Sequence, residues 1–379
     1  MNTESQSRRA KRLAVNVVLL AASCSLVVLL SEALVRRVAP QRPAGGGRDG
    51  QPRDFYAPHP ALGFTMNPAF RGRFRQAEFD TDVRFNSAGL RDREHGVKPP
   101  GTKRLVVLGD SYTFGWGVDE GERFTDRLED RLRDAAPGVW DVVRAGTNAY
   151  ATTHERAWMQ AYGWGLGPDL VVLQFCMGND FADNRGVRYR IEDGYLVSAN
   201  ADSARAEEKG LKGWLRTRSH LYLFLRSLVK QPGVGRAERV RAEIEAFNAL
   251  ADRGADATGA ALEGLAADAR GHGVPLVVAV VPMRHQIVEA RDLDPRLVEH
   301  PNRLVSELAS KAGLPVIDLL PAFRESALAG GPALYFRSDP HWTAEGHRLA
   351  GDALFDSLLA HGWIARDARP DEVSRREGE

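Results

Sequence analysis

The chain has 379 residues, 43% of them hydrophobic and 27% charged, with a formal net charge of +1. That length supports one large domain or two small ones with a buried core, and nothing in the near-balanced charge points to nucleic acid or an anionic surface as a partner. The two cysteines, Cys24 in an apolar run and Cys176 after an expected buried strand, leave no basis for a disulfide framework or a cysteine metal site.

Arg8, Arg9, Lys11 and Arg12 precede an uncharged run from Leu13 to Ser31, followed by Glu32 and by Arg36-Arg37. About 20 apolar residues cross a bilayer, so this run can span one. It is long for a signal-peptide core and no clear cleavage site follows, which predicts an uncleaved signal anchor over residues 1–37 with the lipid bilayer as partner of residues 13–35. The short basic N-terminus places the rest of the chain outside an inner (cytoplasmic) membrane, single-pass, with the folded domain extracytoplasmic. Residues 38–53, rich in Pro, Gly and Arg, read as a flexible linker. Residues 54–100, with alternating stretches such as 79–85, read as a small β-rich lead-in packed on the main domain.

From residue 101 a repeating pattern begins. Apolar runs at 104–108, 140–144, 169–175, 275–281 and 315–318 predict buried strands. Helix-like stretches at 122–135, with Phe124, Leu128 and Leu132 four apart, at 154–166 and at 343–359 lie between or after them. Strands alternating with helices predict an α/β fold, a five-stranded parallel sheet covered on both faces, over residues 101–365. Residues 182–238 read as an insertion. Its later part, 214–230, interleaves aromatics with Arg, as either a helix packed on the domain or a lid or membrane-facing element. The charged tail 366–379 reads as disordered.

In an open parallel sheet, ligands bind beyond the carboxyl ends of the strands. Gly109-Asp110-Ser111 follows the first strand, Gly146-Thr147-Asn148 the second and Gly178-Asn179-Asp180 the third, while Asp339-Pro340-His341 precedes the closing helix. Those residue types fill the roles of acyl transfer. Serine needs a base to take its proton, which points to Ser111 with His341, and Asp339 is placed to orient the imidazole. A tetrahedral oxyanion needs donors, for which the backbone N–H groups of Ser111 and Gly146 and the Asn179 side chain are candidates. Asn148, Arg284 and His285 are candidate substrate contacts. Asp110 and Asp180 read as turn residues, and His154, His272 and His347 as structural ones. Asp339, His341 and His347 match no metal-ligand signature, and the glycines of 109–117 lack the Gly-Lys-Ser/Thr ending of a phosphate loop, so neither a metal nor a cofactor is expected.

Gly109-Asp110-Ser111 with Gly115 resembles the first block of the SGNH (GDSL) hydrolases, Gly146 the second, Asn179 the third, and Asp339 with His341 the fifth. The resemblance covers residues 100–362 in order. It implies a flavodoxin-like three-layer α/β/α fold and ester hydrolysis or acyl transfer, with Ser, Gly, Asn and His in the roles above. Two departures stand out. The third block usually reads Gly-x-Asn-Asp, and here the glycine is displaced by one. The fifth is usually Asp-x-x-His; the shorter Asp339–His341 spacing is similar to the alginate O-acetyltransferase-like branch. The lead-in resembles that of membrane-anchored bacterial members. The expected activity is a serine esterase working through an acyl-enzyme on an O-acyl group of an envelope glycan or a small ester. An O-acetyltransferase of a cell-envelope polysaccharide, or a non-catalytic glycan-binding protein or scaffold of the same fold, is the alternative.

Overall fold

The structure, a computed structural model, describes residues 3–39, 51–186, 189–198, 210–229, 236–288, 290 and 293–365. Most of the expected linker, the tail from 366, and residues 199–209 and 230–235 of the expected insertion lie outside them. The chain divides into two units, residues 1–46 with 200–234, and residues 47–199 with 235–379.

The larger unit is organised by a parallel sheet. Its strands are β5 (Lys103–Gly109), β6 (Trp140–Gly146), β7 (Leu170–Cys176), β10 (Leu276–Val281) and β11 (Val316–Asp318), in the order β11-β10-β7-β5-β6. These are the five expected strands. Val, Leu and Ile dominate them because both faces are buried, and the twofold alternation of a strand divides the side chains between two cores. Val106, Leu108, Val143, Leu173 and Val278 face one core; Leu105, Val107, Val142, Val172 and Val277 face the other. The second core is closed by the helix Phe124–Ala135, through Phe124, Leu128 and Leu132, and by Leu320–Leu328 and Ala344–Ala360. The first is closed by Arg236–Gly271 and His300–Lys311.

The order is that of a doubly wound fold with one reversal. The chain passes from β5 to β6 at one edge, then returns past β5 to β7, so a crevice opens between the carboxyl ends of β5 and β7. The expected helix at 154–166 is a regular helix only over Thr152–Trp158, continuing as a π-turn at Met159–Gly163 and a 3-10 turn at Trp164–Leu166. The 36-residue helix Arg236–Gly271, like those at 295–311 and 320–328, was not anticipated.

The lead-in forms two antiparallel hairpins, β1 (Tyr56–His59) with β2 (Gly63–Met66) and β3 (Arg71–Arg75) with β4 (Asp80–Arg84). Its aromatics do not make a core of their own. Phe55, Phe64, Phe74 and Phe85 join the first core, and Phe55 and Phe85 pack on Phe114 just after the first strand. Residues 182–198, at the start of the expected insertion, belong to this unit too. They include the hairpin of β8 (Tyr189–Glu192) and β9 (Tyr195–Ser198), whose turn carbonyl at Gly194 accepts from Asp54 N at 2.8 Å.

In the smaller unit, the helix Thr3–Val38 contains a stretch, Arg12–Val38, long and apolar enough to cross a membrane. The later part of the insertion forms two helices, Leu211–Arg218 and His220–Val229, and belongs with this anchor-like helix. Glu32 caps the second of them, accepting from the Ser219 hydroxyl and from the His220 and Leu221 amides.

A buried ionic cluster ties the lead-in to the sheet. Arg144 on β6 meets Asp92 at 2.9 Å, Asp126 at 2.8 Å and Glu129 at 2.5 Å, and its side chain is only 5% exposed. Burial alone would raise all three carboxyl pKa values. The surrounding cations, Arg144 together with His95, Arg123 and Arg93, outweigh it and hold each below the ordinary carboxylate range. Removing Arg144 strands three carboxylates away from water. Arg144→Ala is expected to destabilise the fold by roughly 3–5 kcal/mol, read from the urea unfolding midpoint. Because the native pKa values are depressed, the wild-type contribution is present above about pH 4 and lost as pH falls through the lowered values, so the variant's deficit shrinks in acid.

Candidate active site

Ser111 stands at the first position of a single helical turn, Ser111–Phe114, that begins directly after β5. Asp110 makes that turn possible by accepting from Tyr112 N at 3.0 Å, as an N-cap does. Behind it, Gln174 of β7 presents one oxygen to three donors. Asp110 N and Thr113 N lie at 3.2 Å and the Thr113 hydroxyl at 2.9 Å. Glycine is required on both flanking strand ends. A Cβ on Gly109 would lie 2.2 Å from the Thr113 hydroxyl and 2.3 Å from the Gln174 oxygen, and one on Gly146 2.2 Å from Phe114 N.

The Ser111 hydroxyl lies 2.7 Å from His341 Nε2, across 230 residues of chain. His341 Nδ1 is 2.5 Å from Asp339 Oδ1, and the same oxygen accepts from His341's backbone N–H at 2.9 Å. This Asx turn explains the short spacing. With one residue between them, Asp339 reaches the ring by folding its side chain over the backbone of the base itself. The imidazole contacts two rings, stacked on Trp116 with centroids 5.1 Å apart and tilted against Tyr112 at the same distance, while the Tyr112 hydroxyl donates to Pro340 O at 3.0 Å.

Of the candidate oxyanion donors, Gly146 ends β6 opposite Gly109. Thr147 N donates to Gly109 O at 3.0 Å, so the alternation of a parallel ladder leaves the Gly146 N–H without a partner on β5. Asn179 follows β7, and its Nδ2 donates to Tyr150 O at 2.9 Å. The same side chain also hydrogen-bonds the Asp183 carboxyl, which holds the amide at the end of β7.

The candidate substrate contacts are placed less favourably. Asn148 is buried beside the Tyr56 hydroxyl. His285 lies edge-on to Phe247, and burial pushes its pKa down to about 4. Arg284 lines a cavity of about 590 Å3 with Glu78, Ile287, Tyr335, Phe336 and Arg337, beside the segment that leads to Asp339. His347 is fully buried, stacked on Phe124, with its Nδ1 accepting from Phe124 N at 3.2 Å.

A set of buried carboxyls lies on the far side of the turn. Asp180 accepts from Cys176 N at 2.6 Å and Thr152 N at 3.1 Å. Burial, with the neighbouring Asp110, pushes Asp180 well above the ordinary carboxyl range; burial, with Asp180 and then Asp110, does the same to Glu155; and burial lifts Asp183 to about 6. Among the described residues no group of His, Cys, Asp and Glu could hold a metal ion.

Four residues of this site went unnoticed in the sequence: Tyr112, Trp116, Gln174 and Glu78. Only Gln174 carried a signal, as a polar residue inside the apolar run Leu170–Cys176.

The sequence profile of the GDSL-like lipase/acylhydrolase family matches residues 107–349, well over half of the chain. The chain belongs to that family. The GDSL match begins inside β5 and ends in the closing helix, so it contains Ser111, Gly146, Asn179, Asp339 and His341. Among solved structures, the chain is similar to Axe2, an acetylxylan esterase from Geobacillus stearothermophilus (16% identity, 71% of this chain and 99% of that one, TM-score 0.43). It is also similar to LAE5, an alpha/beta hydrolase from the metagenome of Lake Arreo, Spain (16%, 69% and 97%, TM-score 0.41), and to TesA (15%, 68% and 99%, TM-score 0.40). No curated protein matches the chain in sequence.

Gln174→Leu keeps the volume of the side chain but removes the acceptor for three donors. It is expected to destabilise the protein by about 1–3 kcal/mol, seen as a lowered thermal midpoint, since the Asp110 and Thr113 amides lose their side-chain acceptor inside the protein.

Proposed function

We propose that this GDSL-family protein is a serine-dependent acyl hydrolase, acting through an acyl-enzyme at Ser111 on an O-acyl group of an envelope glycan or a small ester. The observation that carries this reading is the unbroken chain from the Ser111 hydroxyl through His341 to Asp339, at 2.7 and 2.5 Å. In the proposed reaction the Ser111 oxygen attacks the acyl carbonyl as its proton passes to His341 Nε2. The imidazolium, balanced by Asp339, returns that proton to the leaving alcohol oxygen. Water, activated by the same histidine, then releases the acid. The negative oxygen of each tetrahedral intermediate is assigned to the N–H groups of Ser111 and Gly146 and to the Asn179 side-chain amide. The cavity beside Arg284 is a candidate site for the alcohol portion of the substrate.

A second reading, transfer of an acetyl group to a polysaccharide hydroxyl, is favoured by one observation, the Asp339–His341 spacing. It shares the acyl-enzyme and differs only in the acceptor. We further propose that the apolar helix within residues 1–37 anchors the chain in an inner (cytoplasmic) membrane, with the domain of residues 101–365 and its lead-in on the outer side. The apolar stretch Arg12–Val38 supports this reading.

The test uses the chain with an activated acetyl ester, with and without a glycan acceptor, and a fluorophosphonate probe. Wild-type protein is expected to release acetate and to label at Ser111. Ser111→Ala is expected to lose both, and His341→Ala to fall by several orders of magnitude in turnover without loss of fold. Acetylation that requires the acceptor, without background hydrolysis, favours transfer; absence of labelling favours a non-catalytic glycan-binding protein.

A further inference from the structure

The Asp339 carboxylate orients the base, yet it sits in a connecting segment, residues 337–341, that belongs to no long helix or sheet strand. What holds that segment comes from the lead-in. The short link between β3 and β4 carries Glu78, and its carboxylate takes four hydrogen bonds from three successive residues. One oxygen accepts from Arg337 N at 2.8 Å. The other accepts from Ser338 N at 2.7 Å, from the Ser338 hydroxyl, and from Asp339 N at 3.2 Å. Burial would raise the Glu78 pKa, but these donors outweigh it and hold it low, so the clamp is charged at neutral pH. The neighbouring side chain repeats the link in apolar form. Phe79 packs on Phe336 at 5.6 Å and on Trp116 at 6.3 Å, and Trp116 is the ring stacked on His341.

We propose that Glu78 is a positioning residue of the active site. It fixes the backbone at residues 337–339 so that Asp339, and through it His341, meets Ser111 at productive distance. The lead-in is then a working part of the enzyme, because the family match that begins at residue 107 does not contain the residue that aligns its acid. The inference rests on the serine-enzyme reading above. It also supplies partners for N–H groups of the Asp339 loop that no ladder or helix bond meets.

The test is a double-mutant cycle on the full chain, with turnover, KM, fluorophosphonate labelling rate and thermal midpoint measured for each variant. Glu78→Ala is expected to lower kcat and the labelling rate of Ser111 together, by about 10- to 100-fold, with KM within about twofold, as a small misplacement of the acid would do. Glu78→Gln retains an acceptor for Ser338 and Asp339 and is expected to recover most of the loss. In an Asp339→Ala background, Glu78→Ala is expected to cost less than about twofold more, because its effect passes through Asp339. Full additivity in that background, or a Glu78→Ala variant that labels and turns over at wild-type speed, overturns the proposal. Should Glu78→Ala fail to fold, Ser338→Ala, which removes one of the four bonds to the Glu78 carboxylate, carries the same cycle with the same additivity criterion. Absence of Ser111 labelling in the wild-type protein overturns the serine-enzyme reading and this proposal with it, which separates the two failures.

Discussion

The candidate site depends on one constraint, the parallel pairing that sets Gly109 opposite Gly146 at the ends of adjacent strands. In a parallel sheet every strand delivers its carboxyl end to the same edge, so a turn that leaves β5 there is flanked by the ends of β6 and β7. The turn can then be pressed so closely onto the neighbouring strand that no Cβ fits at Gly146, and its amides fall onto the Gln174 oxygen. A strand end alone would leave Ser111 loosely placed. The two glycines and the glutamine convert a strand end into a fixed position for a hydroxyl.

Around that position charge is handled in two ways. The Arg144 cluster carries full charges inside the protein by pairing them, and it joins the lead-in to β6 in doing so. Asp180 and Glu155 lie in the same interior without a cation opposite, and the protein holds them toward their neutral forms instead. The Asp339–His341 pair, by contrast, is partly open to solvent.

Much of this was legible in the sequence, for physical reasons that differ from element to element. The five sheet strands showed themselves as short apolar runs because burial on both faces admits almost nothing else. Ser111, Gly146, Asn179, Asp339 and His341 showed themselves because each follows a strand or precedes the closing helix in a short, distinctive group. The helix Arg236–Gly271 did not, since its apolar face is made largely of Ala and Leu spaced among Arg, Glu and Gly. Glu78 was invisible for another reason. Its partners lie 259 to 261 residues away, and an exposed-looking glutamate in a hairpin link has no local pattern to mark it.

Asp339 bonds both the ring and the backbone N–H of the histidine it serves. Asp339 and His341 are therefore tied into one piece three residues long, held by its own internal bonds as well as by the surrounding loop. All the long-range precision required of the fold collapses into a single gap, the 2.7 Å between that piece and a serine 230 residues earlier. The candidate site is thus the docking of two locally assembled parts, a strand-end turn and a histidine carrying its own carboxylate.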